Sequence, residues 1–427
     1  MQPQHATSQP DAERRRFGAL GYRDFTLLWT GLLISNAGTW MQNVAQGWLA
    51  YALTNSPLYL GLLGASFAVP MVLLPIFGGT IADRFERLNI LKITQTLMMI
   101  AAVVMATLAY LRIITIWEMI AISFVSSVAL SVDNPTRQAL IPDLVPRKDL
   151  LSAISLNSVA FNGAALVGPA VAGILLGSAG SSTTGQALTP QLYSSTALVF
   201  YVNALSYVAV LGPVFVMRPT VVDRQRVGGV QNAVLEGFDY VRTRPAILLL
   251  LVLSAVMSVF GRSFSQLLPV FARDVLQVGS SGYGLMLAVP GAGTLIAGFG
   301  IAAIGHYLDR RKIIAFSLIA LVFSLVGFAL SRNFPLSLAL LGINGFAATA
   351  FGAIVATIIQ LETEGRLRGR VMSLYTITVI GIGPLGSLIS GSLATVIPVS
   401  YAVTLPALII LIVMVYVVRL PTWKTVN

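Results

Sequence analysis

The sequence predicts an all-α membrane protein of twelve transmembrane helices, arranged as two six-helix bundles in parallel repeat. Three observations predict it. The 427 residues are 56% hydrophobic and only 10% charged, against about 25% charged in soluble domains. Apolar runs long enough to cross a bilayer recur along the whole chain. The cations fall in every second loop between those runs. This composition excludes a soluble enzyme, a disordered chain and a disulfide scaffold.

The elements follow in order. Residues 1–24 form a polar, basic tail containing Arg14, Arg15, Arg16 and Arg23. The apolar stretch after it has no small-residue cleavage site, so it reads as an uncleaved first span. The tail itself is an interfacial lead-in on an anionic leaflet. Spans at 25–52, 57–81, 89–111, 114–132, 151–178 and 193–217 build a first bundle, 25–217. Between its last two spans, 179–192 is uncharged and Ser/Thr-rich, as an exposed loop would be. The 218–245 stretch, with five arginines, is a polar central loop. Spans at 246–271, 281–304, 313–331, 336–360, 371–396 and 400–419 build the second bundle, 246–420. Residues 421–427 are a tail. Pro70, Pro75, Pro169, Pro290 and Pro384 lie inside spans; neighbouring helices re-satisfy the backbone groups that such breakers free.

Lys and Arg in excess mark cytoplasmic loops. With the N-terminus inside, 23 of the 27 cations fall in the tails and the inner loops. Only Arg112, Arg273 and Arg332 fall outside, and Arg262 lies within span 7. Both termini are therefore expected in the cytoplasm of a multi-pass protein of the plasma (bacterial inner) membrane. The net charge of +11 thus belongs to topology and implies no nucleic-acid partner. Cysteine is absent and there are two histidines, His5 and His306. Thiolate chemistry and histidine metal sites are excluded, and no cofactor is implied.

Two patterns recur in matching places of the halves. Gly79-x-x-x-Asp83-Arg84 follows span 2, and Gly305-x-x-x-Asp309-Arg310 follows span 8. Gly168-Pro169 lies in span 5 and Gly383-Pro384 in span 11. Halves with the same orientation make parallel repeats about an axis along the membrane normal.

Gly79-x-x-x-Asp83-Arg84-x-x-Arg87 resembles the signature of the major facilitator superfamily. Asn36-Ala37-Gly38-Thr39-Trp40-Met41-Gln42-Asn43 in span 1 is similar to the exporter branch that includes enterobactin exporters and macrolide efflux proteins. So are Asp133-Asn134-Pro135-Thr136-Arg137-Gln138-Ala139-Leu140-Ile141-Pro142, Leu268-Pro269-Val270-Phe271-Ala272-Arg273-Asp274 and Arg368-Gly369-Arg370-Val371-Met372-Ser373. The resemblance implies the major facilitator fold. It also implies that Gly79, Asp83, Arg84 and Arg87, with Asp309 and Arg310 in the second copy, form a latch closing the cytoplasmic side. Gly163-x4-Gly168-Pro169-x3-Gly173 in span 5 resembles the glycine-proline motif of antiporters. It departs by having Ala172-Gly173 where paired glycines would come; plain small-residue packing is the other reading.

Charged residues inside spans are functional candidates by default. Glu118 near the outer end of span 4, Asp133 at its inner end and Arg262 in span 7 are the candidates for proton coupling. Glu118 would titrate, and Arg262 would modulate it or a substrate anion. The alternatives are a carboxylate snorkelling to water and a structural ion pair. Asn36, Trp40 and Asn43 share one face of span 1 at helical spacing, and amides facing lipid are costly. They are expected to line a substrate cavity, with Gln266 of span 7 and Asn344 of span 10 on the opposite wall. Interhelical hydrogen bonding is the competing reading.

Together the resemblance and the residues imply a monomeric secondary transporter. It exports a bulky amphipathic small molecule, a siderophore or a drug such as a macrolide, in exchange for protons, by alternating access. Its other partner is the lipid bilayer. A proton-coupled nutrient importer is the alternative. A membrane-embedded enzyme would need paired catalytic groups at membrane depth, and ATP drive would need a Gly-x4-Gly-Lys loop; neither is present in the sequence.

Overall fold

The structure is a computed structural model; it describes residues 18–74, 85–178, 188–217, 230–305, 309–365 and 367–425. Gly79, Asp83 and Arg84 of the latch motif, His306 and the tail arginines Arg14 to Arg16 lie outside the described residues.

The first bundle is α1 (Arg23–Thr54), α2 (Pro57–Leu73), α3 (Arg87–Tyr110), α4 (Ile116–Leu144), α5 (Leu150–Ser178) and α6 (Pro190–Val216). Then come α7 (Val230–Arg242), α8 (Pro245–Gly261), α9 (Gly279–Ile304), α10 (Arg310–Leu330), α11 (Phe334–Glu362), α12 (Arg368–Thr376), α13 (Gly383–Val396) and α14 (Val399–Arg419). Span 7 continues beyond α8 through a 3-10 turn, Ser263–Leu267, a short turn, Leu268–Val270, and a π-turn, Phe271–Val275. Span 11 is α12 and α13 joined by the π-turn Ile377–Gly381. The Gly383-Pro384 pair opens α13, where a proline costs no hydrogen bond.

Among the described residues nine helical segments are long and apolar enough to cross a membrane, and Pro57–Met71 and Leu385–Val396 are shorter apolar helices. The remaining span is α1, whose polar stripe lowers its mean hydropathy. Twelve spans thus account for the two bundles. The C-terminal ends of α2, α4, α9 and α11 lie at one end of the bundles, called the basic end; the C-terminal ends of α1, α3 and α10, and of span 7 at Val275, lie at the other, charge-poor end.

Small residues let the helices within each bundle touch. A Cβ on Gly38 of α1 would meet Asn203 Oδ1 of α6 at 2.6 Å, and backbone contacts of the same kind join Gly345 of α11 to Pro290 of α9. This is how helices associate where lipid supplies no hydrophobic drive. Buried polar side chains tie the bundle further. Asn203 donates to Gln42 Oε1 at 2.6 Å, and Gln46 donates to Ser123 Oγ at 2.7 Å.

The central loop differs from its expectation. It contains α7, an amphipathic helix seated on α12. Glu236 of α7 pairs with Arg370, and a Cβ on Gly237 would lie 3.2 Å from Arg370 Cβ. The third arginine-bearing motif, Arg368 to Ser373, therefore holds the connector onto the second bundle. Arg370→Ala is expected to unseat α7 and to raise tryptic cleavage at Arg242 several-fold. Limited proteolysis of the purified protein measures this.

Candidate functional site

The two bundles meet along two seams, α5 with α9 and α2 with α13, and both seams lie at the charge-poor end. A Cβ on Gly284 of α9 would stand 2.6 Å from Gly173 Cα and 2.6 Å from Pro169 O, both on α5. Ser281 donates to Gly173 O at 3.1 Å. On the other seam a Cβ on Gly61 would stand 2.8 Å from Ser387 O. Toward the basic end the same helices part. A Cβ on Gly291 of α9 would still lie 3.2 Å from Leu166 Cα of α5, but one on Gly298, two turns further along the same face, would meet nothing within 4 Å.

Side chains seal the closed end between the seams. Trp48 of α1 stacks on Tyr283 of α9 with ring centroids 5.9 Å apart. The Tyr51 hydroxyl donates to the Asp274 carboxylate across the bundles. Arg273 donates to Asn55 Oδ1 at 2.8 Å, to Asp274 Oδ1 at 2.8 Å, and lies 3.8 Å from the Tyr51 ring centroid. Sequence reasoning assigned none of these a role. The signal was present in the Leu268 to Asp274 motif, which puts an Arg-Asp pair at the end of a span.

Below the seal, the face of α1 turned toward the second bundle is polar. At 3.6 residues per turn, Asn36, Trp40, Asn43, Gly47 and Tyr51 fall within about 80° of arc. The upper members touch the second bundle: a Cβ on Gly47 would lie 2.5 Å from the Tyr283 hydroxyl. The lower members do not. Asn43 is exposed, and Asn36 and Trp40 are half-buried, with Trp40 edge-on to Phe161 of α5. The opposite face of α1 packs on α6 through Gly31, Gly38 and Gln42. Hence these three side chains lie on the face of α1 turned away from α6, and the second bundle does not cover them.

The other candidates divide. Arg262 caps α8. Its side chain is exposed. Gln266, one turn on, lies across the interface against Gly64 of α2, whose Cβ would stand 2.9 Å from its Nε2. Asn344 lies elsewhere: it is buried and directed at Ser324 Oγ of α10, at 3.5 Å. A single amide can be satisfied by a neighbouring helix as well as by a cavity, and here the neighbour holds it. Glu118 is exposed at the start of α4, where it and Thr115 form a reciprocal capping box with Thr115 N donating at 2.9 Å. The structure does not bring it near Arg262. Asp133 is fully buried, accepting from Thr94 Oγ1 at 2.8 Å and Gln95 Nε2 at 2.9 Å, with Arg137 Nε 2.6 Å from its second oxygen.

Of the latch residues, Arg87 donates to Ala139 O at 2.7 Å and pairs with Asp143 at 2.5 Å, tying α3 to α4. Asp309 caps α10, accepting from Arg311 N at 2.9 Å and Lys312 N at 3.4 Å, with Arg310 as the first helical residue. In the span 5 motif, Gly168 packs within its own bundle, where its Cβ would stand 2.7 Å from Ala37 O. Gly173 and Pro169 face α9, and Gly163 packs against nothing.

Two bundles shut on each other at one end and parted by a polar face at the other define a membrane transporter whose access can alternate. The chain belongs to the transmembrane secretion effector family of the major facilitator superfamily, matched over residues 16–427. It is similar to the staphyloferrin A transporter of Staphylococcus aureus, at 22% identity over 84% of this chain and 86% of that protein. It is also similar to the multidrug efflux pump Tap of Mycolicibacterium fortuitum, at 23% identity over 91% and 94% of the two chains. Among solved structures it resembles a bacterial homologue of the lysosomal transporter Spinster in its inward-facing, unoccupied conformation. That likeness has a TM-score of 0.75 and 16% identity, and covers 95% of this chain and 98% of that one.

Proposed function

We propose that this protein exports a bulky amphipathic small molecule, a siderophore or a drug, across the bacterial inner membrane in exchange for protons. It acts as a monomer, is no enzyme, and has both termini in the cytoplasm. With the basic end inside, the structure is its inward-facing state, ready to load substrate from the cytoplasm. The observation that carries this reading is the neutral polar face of Asn36, Trp40 and Asn43, opening toward the basic end beneath a sealed charge-poor end. The resemblance to a siderophore transporter and to efflux pumps over most of the chain supports the direction. Expression in a host stripped of its own pumps is expected to lower accumulation of at least one compound in a drug and siderophore panel. Unchanged accumulation across the panel contradicts export.

Proton coupling rests on Asp133. It is the buried carboxylate of a helix beside α1, and protonating it would break its pair with Arg137. The Asp133→Asn protein is expected to fold and to lose pH-driven exchange in proteoliposomes. Glu118→Gln keeps the capping box, since glutamine serves there as well, and is expected to leave exchange unchanged. The opposite pair of outcomes would move the coupling to Glu118.

A further inference from the structure

We infer that the central cavity binds its cargo through an anionic group, and that Arg262 is the residue that receives it; this rests on the transport reading above and specifies its substrate class. Three observations converge on it. Arg262 stands in span 7 where α8 gives way to the 3-10 turn, about half-way through the helical segment Pro245–Val275. Ser258, one turn before it, donates to Val379 O of span 11 at 2.7 Å. Gln266, one turn after it, reaches α2 of the first bundle. Arg262 therefore lies between span 11 and α2 of the first bundle.

The second observation is its exposure: the side chain has open surface, although the turn before it packs on span 11 and the turn after it packs on α2. The third is electrostatic. Among the described residues its guanidinium has neither a hydrogen-bond nor an ion-pair partner, while its carbonyl accepts from Ser265 N and Oγ. The nearest alternatives are taken: Asp133 is held by Arg137, Asp274 by Arg273 and Tyr51, and Glu118 sits on the outer rim. A guanidinium at membrane depth is costly without a counter-charge. Its planar fork of donors matches a carboxylate in two parallel hydrogen bonds. One such cation among neutral amides and aromatic rings suits one anionic group on a largely apolar body. It does not suit a polyphosphate, which would need a cluster of cations.

Binding to the purified full-length protein tests this without requiring transport. The probes are dansylaminoundecanoic acid and its uncharged methyl amide, titrated by fluorescence. The acid is expected to bind the wild-type protein about ten-fold more tightly than the amide. Arg262→Gln should abolish that preference while keeping amide binding, which also shows that the variant is folded. Arg262→Lys should keep a reduced preference. Equal affinities in the wild type, no binding of either probe, or an undiminished preference in Arg262→Gln would overturn the inference. Export of neutral compounds only, with the acid preference intact, would instead fault the substrate panel of the transport reading and leave the anion site standing.

Discussion

Gly284→Ala is expected to stop the charge-poor end from closing and to cut transport at least ten-fold. The added Cβ would stand 2.6 Å from two backbone atoms of α5, Gly173 Cα and Pro169 O. Backbone inside a helix cannot give way as a side-chain tip can, so the bundles must separate. A loss of about 1.4 kcal/mol in the closed state is enough for a ten-fold shift, and overpacking a close contact costs about 1–3 kcal/mol. The chain has no cysteine, so Asn43→Cys reports the change alone. Its labelling from outside intact cells by an impermeant maleimide should rise as transport falls. Gly163→Ala, in the same span 5 motif, is the control. Its Cβ meets nothing, and transport should stay at the wild-type rate.

The second large effect is on folding. Arg137→Ala is expected to destabilise the protein by about 3–5 kcal/mol, because it leaves the fully buried Asp133 carboxyl without its counter-charge. Thr94 and Gln95 still donate to one oxygen, but the other loses its counter-charge. Asp133→Asn removes the charge and keeps an acceptor for both donors, so its loss should be smaller. Combining Asp133→Asn with Arg137→Gln should recover most of the stability lost by Arg137→Ala. Thermal melts of the purified variants in detergent give the order. Equal stability of Arg137→Ala and wild type would mean that the pair is not buried as described.

The spans were legible in the sequence because a bilayer demands one long apolar run per crossing, and the arginines assign each loop to one side. Even α1 was readable, although Asn36, Gln42, Asn43 and Gln46 dilute it, since the loops around it alternate correctly. Helix α7 was missed because its apolar residues are spaced among charges within a basic connector. Only its contact with Arg370 shows that it packs. The face of Asn36, Trp40 and Asn43 followed from helical spacing alone. Asn344 did not, because periodicity says which residues share a face and not which neighbour that face meets. Glu118 looked like an intramembrane acid while its partner, Thr115, stood three residues away in a capping box. The seal was the least legible feature. Trp48 with Tyr283, Tyr51 with Asp274 and Gly173 with Gly284 join residues more than a hundred positions apart. No local pattern announces such pairs.

The central claim is that the bundles close and open at the charge-poor end during transport. A cysteine pair at Gly177 and Ser281 tests it most directly. A Cβ on Gly177 would lie 3.2 Å from Ser281 Cβ, a few tenths of an ångström short of the usual disulfide separation of about 3.5–4.5 Å. The Gly177→Cys/Ser281→Cys protein is expected to cross-link on mild oxidation, to lose transport while oxidised, and to regain it with a reducing agent. A pair that cross-links fully and still transports at the wild-type rate would contradict the claim.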